Sequence, residues 1–289
     1  MSRKLLITGG GGRLASLLRP LLAQTTDWQI HGQSRRAADA ENWHQLDPLT
    51  DSRGFARLCD GCDAVLHLAG VTPATRHGDS TANVDLARVV AQATAQVPLV
   101  LAMSSVAVYG PSGRPLREGG ATAPNTAYGR SKLAMEEVIL EQSNGPLITC
   151  LRLGNVVGAD ALMQGQPCPT ELHAFPNGRT PERSYISPVT LARVLMQLID
   201  RGLTRGTLPP VINVAAPEPV EMAALMRAAG LPWTPIPAPA GLDNRVVVST
   251  LLLERLVDLP VFEACPAFLT AHFREQLRKG ADDLATAAL

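Results

Sequence analysis

Tyr128 and Lys132 stand four residues apart in Tyr128-Gly129-Arg130-Ser131-Lys132, so on a helix they share one face. A phenol with its ordinary pKa near 10 is a poor base at neutral pH. Bringing it down to neutrality takes roughly 4 kcal/mol, which a nearby ammonium and a charged cofactor can supply. Ser104 and Ser105 end the apolar run VPLVLAM (97–103), and a serine hydroxyl there can hold a substrate oxygen while hydride moves. Near the N-terminus, Thr8-Gly9-Gly10-Gly11-Gly12-Arg13-Leu14-Ala15 follows the apolar run KLLIT directly. Glycines at 9, 11 and 12, with Arg13 and Leu14 opening a helix, let a backbone turn tightly and let a pyrophosphate approach the helix start. About 20 residues further on, where a carboxylate would hold the ribose of NAD, the chain has Gln33-Ser34-Arg35-Arg36 and no carboxylate before Asp39. Ser34 and Arg35 therefore favour NADP over NAD, the other reading being a solvated basic pair at a strand end.

These residues need a frame, and the first 155 positions provide one. Apolar runs at 4–8, 28–32, 63–69, 97–103 and 147–153 alternate with helical patterns near 13–24, 52–60, 80–96 and 126–143. Strands alternating with helices of that length predict β-α-β units and a parallel sheet covered on both faces. The expected fold is α/β, a Rossmann-like doubly wound parallel sheet followed by a small irregular C-terminal substrate lobe. The boundary is drawn at residues 1–158 and 159–289, with elements at 186–214 returning to the core. Residues 159–185 read as loop, 189–203 and 218–229 as helices and 211–214 as a strand. The prolines of 231–241 exclude a regular element there, because proline lacks the amide donor. The tail ADDLATAAL (281–289) reads as a frayed helix end.

Composition narrows the classes of function. The chain has 289 residues, with 26 Lys and Arg balancing 26 Asp and Glu. A formal net charge of zero removes the driving force for bulk nucleic-acid binding. No apolar run approaches the roughly 18 residues that span a bilayer, and the N-terminus has too short an apolar stretch for a signal core. A cytoplasmic protein is expected. Cys59 and Cys62 form C-x-x-C, but no second pair stands at zinc spacing, so no metal is expected and the two read as plain thiols at a helix–strand turn.

The chain resembles the extended short-chain dehydrogenase/reductases, and among them the NAD-dependent epimerase/dehydratase family. TGGGGRLA (8–15), LDPLTD (46–51), LHLAG (66–70), NVDLA (83–87), SSVAVYG (104–110), YGRSK (128–132), LRLGNVVG (151–158), RSYIS (183–187) and INVAAPEPV (212–220) stand in the family's order. The resemblance implies that Asp47 contacts the adenine end of a dinucleotide and that Leu68, Ala69 and Gly70 line its passage. It makes Ser105 the substrate-holding serine beside Val106, Tyr128 the acid/base, and Lys132 the holder of the nicotinamide ribose. Asn83 matches an asparagine near the nicotinamide, or is simply a helix-starting residue; His67 reads as a core histidine. Asn155 and Arg183 match substrate contacts, the arginine to a diphosphate. Where nucleotide-sugar members carry R-D-Y-I-H-V, however, this chain has Arg183-Ser184-Tyr185-Ile186-Ser187-Pro188.

The implied activity is reversible hydride transfer between NADP or NAD and a secondary alcohol or ketone of a sugar-like small molecule, a nucleotide sugar being one candidate. The alternatives are an NADPH-dependent reductase of a small non-nucleotide ketone and a non-catalytic dinucleotide sensor. A homodimer through the 80–96 and 126–143 helices is expected, as is common in the family.

Overall fold

A computed structural model describes residues 2–24, 27–37, 41–71, 81–141, 145–164 and 169–287. Asp39 and Cys168 lie outside them. Along the chain run β1 (Arg3–Thr8), α1 (Arg13–Leu22), β2 (Trp28–Ser34), β3 (Trp43–Gln45), α2 (Ser52–Cys59), β4 (Ala64–His67), α3 (Ala82–Ala93), β5 (Leu99–Ser105), α4 (Ala127–Leu140) and β6 (Leu147–Leu153). After these come β7 (Asn155–Val156), β8 (Thr170–Ala174), β9 (Glu182–Arg183), β10 (Tyr185–Ile186), α5 (Pro188–Arg205), β11 (Val211–Val214), β12 (Val220–Glu221), α6 (Met222–Ala229), β13 (Trp233–Pro237), β14 (Arg245–Val246), α7 (Leu251–Glu254) and α8 (Pro266–Ala287).

The chain divides into two compact units. The first comprises residues 1–111, 118–153 and 192–213. Its sheet has seven strands in the order β3-β2-β1-β4-β5-β6-β11. The pairs β2–β3, β1–β2, β1–β4, β4–β5 and β5–β6 are all parallel. The strand order reverses between β1 and β4, and ligands of such sheets bind beyond the carboxyl ends of the strands at that reversal. Leu6, Val65, Val100 and Ile148 form an apolar layer with Phe55 of α2, Val90 of α3 and Ile139 of α4. Continuous apolar strands follow from burial on both faces. Thr126 caps α4, its Oγ1 accepting from the Gly129 amide at 3.0 Å, and this start sets the phase that places Tyr128 and Lys132.

The second unit comprises residues 112–117, 154–191 and 214–289. Its core gathers Val157, Leu172, Tyr185, Leu225, Met226 and Leu269. Two expectations fail here. Residues 159–185 are not all loop, since β8 and β9 lie within them and β10 begins at Tyr185, and 231–241 contains the regular strand β13, paired in parallel with β8. The prolines are accommodated by parity. The Ala238 amide donates to the Ala174 carbonyl and the Pro232 carbonyl accepts from Thr170, so even-numbered residues face β8. Pro235 and Pro237 turn their donorless nitrogens away from it, the one arrangement an edge strand tolerates. The expected helix at 218–229 begins only at Met222, because Val220 and Glu221 pair with β9. The short strand β3 has three residues, too few to leave a periodic signal in the sequence.

Candidate active site

The glycine turn leaves β1 at its carboxyl end. Gly9 has φ +69°, and a Cβ there would stand 2.5 Å from the Ala69 Cα. A Cβ on Gly11 would come within 2.7 Å of the Ser34 Oγ. The backbone thus passes where no side chain fits, and the ends of β1, β2 and β4 meet at one place. Gln33, which sequence reasoning passed over, locks the turn: its Oε1 accepts from the Gly9 amide at 3.2 Å and its Nε2 donates to the Leu46 carbonyl at 2.6 Å. Gly12 caps α1, with Arg13 and Leu14 as the first helical residues. A helix start presents amide donors and a partial positive charge.

At the end of β2 the buried Ser34 hydroxyl accepts from the Arg36 amide at 3.1 Å. Arg35 and Arg36 are exposed, and neither forms an ion pair with a described residue. Asp47 turns one oxygen back on its own loop, accepting from the Leu49 amide at 3.0 Å.

At the far side of the reversal, Leu68, Ala69 and Gly70 follow β4. A Cβ on Gly70 would stand 2.9 Å from Asn83 Oδ1 and 3.1 Å from Lys132 Nζ. Asn83 is buried and its amide is committed: Oδ1 accepts from the Val71 amide at 2.8 Å, while Nδ2 donates to the Val71 carbonyl and the Ser131 hydroxyl. Both donors being spent, the side chain ties α3, α4 and the loop after β4 together.

Ser105 ends β5, and its Oγ accepts from the Ala107 amide at 3.2 Å, just past Val106. The Tyr128 phenol is raised above its usual pKa by burial, with a hydrogen bond to Ser105 pulling the other way. Ser105 and Tyr128 thus stand near enough for the serine to act on the phenol. The expected lowering of the phenol by Lys132 is not found among the protein's own groups. The ammonium turns into the sheet instead, donating to the Met103 carbonyl at 2.8 Å, with Met135 Sδ at 3.7 Å. Burial brings Lys132 down to about 8, against Cys150 and Glu136, which favour the charged form.

His67 is buried, with Nδ1 2.8 Å from Thr8 Oγ1 and Nε2 without a partner. Burial and the Lys132 charge push its pKa down to about 3, so the ring is neutral. Burial likewise pushes the Cys59 thiol up to about 12 and raises Cys62, leaving both poor nucleophiles.

The second unit has a cavity of about 310 Å³ lined by Asn155, Asp160, Glu171, His173, Arg183 and Tyr185 among others. Arg183 Nη1 donates to the Glu182 and Asn244 carbonyls, and Nη2 to that of Asp243. A guanidinium has five donors, so at least two, including Nε–H, remain available. Burial lowers the Arg183 pKa, while Tyr185 and Asp243 oppose the shift. Sequence reasoning found Asn155 and Arg183 here but not Asp160, Glu171 or His173, which stand in a stretch read as loop. Among the described residues no group of three or more His, Cys, Asp or Glu could hold a metal, and no helix is long and apolar enough to cross a membrane.

Residues 5–174 match the NAD dependent epimerase/dehydratase family. A UDP-glucose 4-epimerase of Azospirillum brasilense is 32% identical over 191 residues, a match covering 60% of this chain and 55% of that protein. The match thus spans little more than half the length of that curated relative. The structure of a UDP-glucose-4-epimerase from Stenotrophomonas maltophila, with bound NAD and formylated UDP-arabinopyranose, superposes with a TM-score of 0.78 at 21% identity, covering 96% of this chain and 99% of that one. A short-chain dehydrogenase/reductase superfamily protein from Agrobacterium tumefaciens, with bound NAD, gives 0.73 at 21% identity, covering 97% and 100%. With more than half its length matched by the family's pattern and its sheet built as in these relatives, the chain belongs to the NAD dependent epimerase/dehydratase family.

Proposed function

We propose that the chain catalyses reversible hydride transfer at a secondary alcohol of a nucleotide sugar, as an epimerase or a related oxidoreductase. The observation that carries this reading is Ser105, at the end of β5, beside the half-buried Tyr128 that stands one helical turn before a buried Lys132. The first unit is the dinucleotide domain and the second the substrate lobe. A nicotinamide dinucleotide fits the glycine turn, which is packed closely on Ala69 and Ser34 at Gly9 and Gly11 and leads directly into the start of α1. Gly9, Gly11, Gly12, Arg13 and Leu14 would hold its pyrophosphate, Asp47 its adenine end, and Leu68, Ala69 and Gly70 its passage, with Asn83 supporting that wall. When bound, its nicotinamide accepts or returns the hydride.

The chain's own residues do the rest. Ser105 holds the substrate oxygen beside Val106, and Tyr128 takes that oxygen's proton as the carbon-bound hydrogen leaves as hydride. In the reverse direction the phenol gives the proton back. Lys132 directs its remaining donor to the nicotinamide ribose. Asn155 and the available edge of Arg183 receive the sugar nucleotide, the arginine by charge-assisted hydrogen bonds to its diphosphate. Arg35, exposed and without a described carboxylate partner, selects NADP over NAD through the 2′-phosphate. The protein works in the cytoplasm as a homodimer built on the outer faces of α3 and α4.

The deciding experiment is turnover of UDP-sugars by wild-type protein and Tyr128→Phe, with dinucleotide affinity measured alongside. Turnover lost in the variant at unchanged affinity is expected. Equal activity in both proteins overturns the assigned roles, and binding of dinucleotide without any UDP-sugar binding overturns the substrate class.

A further inference from the structure

A charged cluster outside the reacting set lies in the first unit, on the sheet face covered by α4. Glu136 and Arg152 form an ion pair at 2.7 Å with side chains 3% and 6% exposed. The contact is two-pronged: Arg152 Nη2 donates to Oε2, and Nε lies 3.0 and 3.2 Å from the two oxygens. Ser104 Oγ donates to the same carboxylate at 2.5 Å. The guanidinium also stacks 4.7 Å above the Tyr109 ring, and the Tyr109 hydroxyl donates to Asn213 Oδ1 at 2.7 Å.

Placement gives this cluster its meaning. Glu136 follows Lys132 by one helical turn and Tyr128 by two, on the same face of α4. Ser104 precedes Ser105 on β5, and Arg152 of β6 is its partner across the sheet. One carboxylate therefore joins the helix that carries two reacting residues to the strand end that carries the third. A desolvated ion pair is an inefficient way to hold a core, since apolar residues of similar volume do as well or better. A guanidinium fork on a carboxylate does fix rotation and translation, which apolar contacts leave loose.

We propose that Ser104, Glu136 and Arg152 are positioning residues that lock α4 against β5 and so set the geometry among Ser105, Tyr128 and Lys132. The proposal rests on those three being the reacting set. Misplacement by about 1 Å can cost a reaction about a hundredfold, and the cluster prevents that misplacement.

The test is Glu136→Gln combined with Arg152→Met, which leaves neither charge buried alone. The folded double variant should lose about a hundredfold in kcat, with KM and dinucleotide affinity changed by less than about threefold. The pH profile should move as well. Lys132 faces Glu136 on its own helix, His67 on β4 and Cys150 on β6. Loss of the anion that favours its charged form should shift the high-pH decline to lower pH. A folded double variant with wild-type kcat and wild-type profile overturns the proposal. Its crystal structure decides without any substrate: loss of the 2.8 Å contact from Lys132 Nζ to the Met103 carbonyl supports the proposal, and an unmoved α4 overturns it. If wild-type protein turns over no UDP-sugar, the substrate reading falls while that structure still decides this one. Should the double variant not fold, Ser104→Ala removes one contact and keeps the ion pair. A drop of about tenfold in kcat is expected, and an unchanged kcat overturns the proposal.

Discussion

One face of the sheet is built in two different ways along the same strands. Toward the amino ends it presents Leu6, Val65, Val100 and Ile148, packed against α3 and α4. Two to four residues further along the same strands, it presents Thr8, His67, Ser104 and Arg152, all buried and polar. Helix α4 follows the same division, with Ile139 in the apolar layer and Tyr128, Lys132 and Glu136 toward the other end. Apolar packing is insensitive to small displacements, whereas hydrogen bonds and ion pairs are steep in distance and angle. The amino-end layer therefore carries stability and the carboxyl-end layer carries geometry.

If that division is real, substitutions at the two ends should fail in different assays. The largest effect is expected from Tyr128→Phe, with turnover down about 10²- to 10⁴-fold and the melting temperature hardly changed. Steady-state kinetics beside a thermal melt would check it, and a large loss of stability instead would blur the two layers. Ile139→Ala, on the same helix, should do the reverse. Emptying a fully buried isoleucine site costs about 2–5 kcal/mol, read by urea titration, while kcat in the folded protein should hold.

His67 sharpens the comparison with a pH dependence of known sign. Its pKa is about 3 in the fold, against an ordinary value near 6.5, so the unfolded chain takes up the proton first on acidification. Its contribution to stability is intact above about pH 6.5 and is lost progressively toward about pH 3. From about pH 6.5 to about pH 5 that loss is about 2 kcal/mol. His67→Gln should remove this part of the acid sensitivity, measured as the change in urea midpoint across that range, and an unaltered slope would mean the ring is not neutral and enclosed.

The smallest effect is expected at the surface. A guanidinium paired with the 2′-phosphate contributes roughly 1.5–3 kcal/mol before screening. Arg35→Ala should weaken NADP by about tenfold at low salt, leave NAD nearly untouched, and lose its effect as salt is raised. Side-by-side titration of the two dinucleotides would show it, and equal affinities for the wild-type protein would mean that Arg35 merely faces solvent.

The amino-end layer was the part most legible in the sequence. Runs such as DAVLHLA and LITCLRL announce strands covered on both sides, and the glycines after KLLIT mark the turn. Tyr128, Lys132 and Ser105 were legible because their spacing has a chemical meaning. Glu136 continues the same four-residue interval, and that interval was the signal that would have exposed it. Arg152 was harder, because an arginine within LITCLRL reads as part of an apolar strand until its buried partner is seen. The second unit was read least well. Its strands β9, β10, β12 and β14 have two residues each, too few for any periodicity, and β13 contradicts the usual meaning of its prolines. Parity along the strand decides that case, and parity is fixed by the partner rather than by composition.

The same parity has a consequence for how the folded chain behaves in company. An unpaired strand edge is a template on which another chain can add, and proteins that leave one open risk aggregation. The margin of β13 turned away from β8 offers Trp233, Pro235 and Pro237, and two of these three positions have no hydrogen to donate. A strand arriving there would find a broken ladder, so the prolines make this margin a dead end for self-association at high concentration.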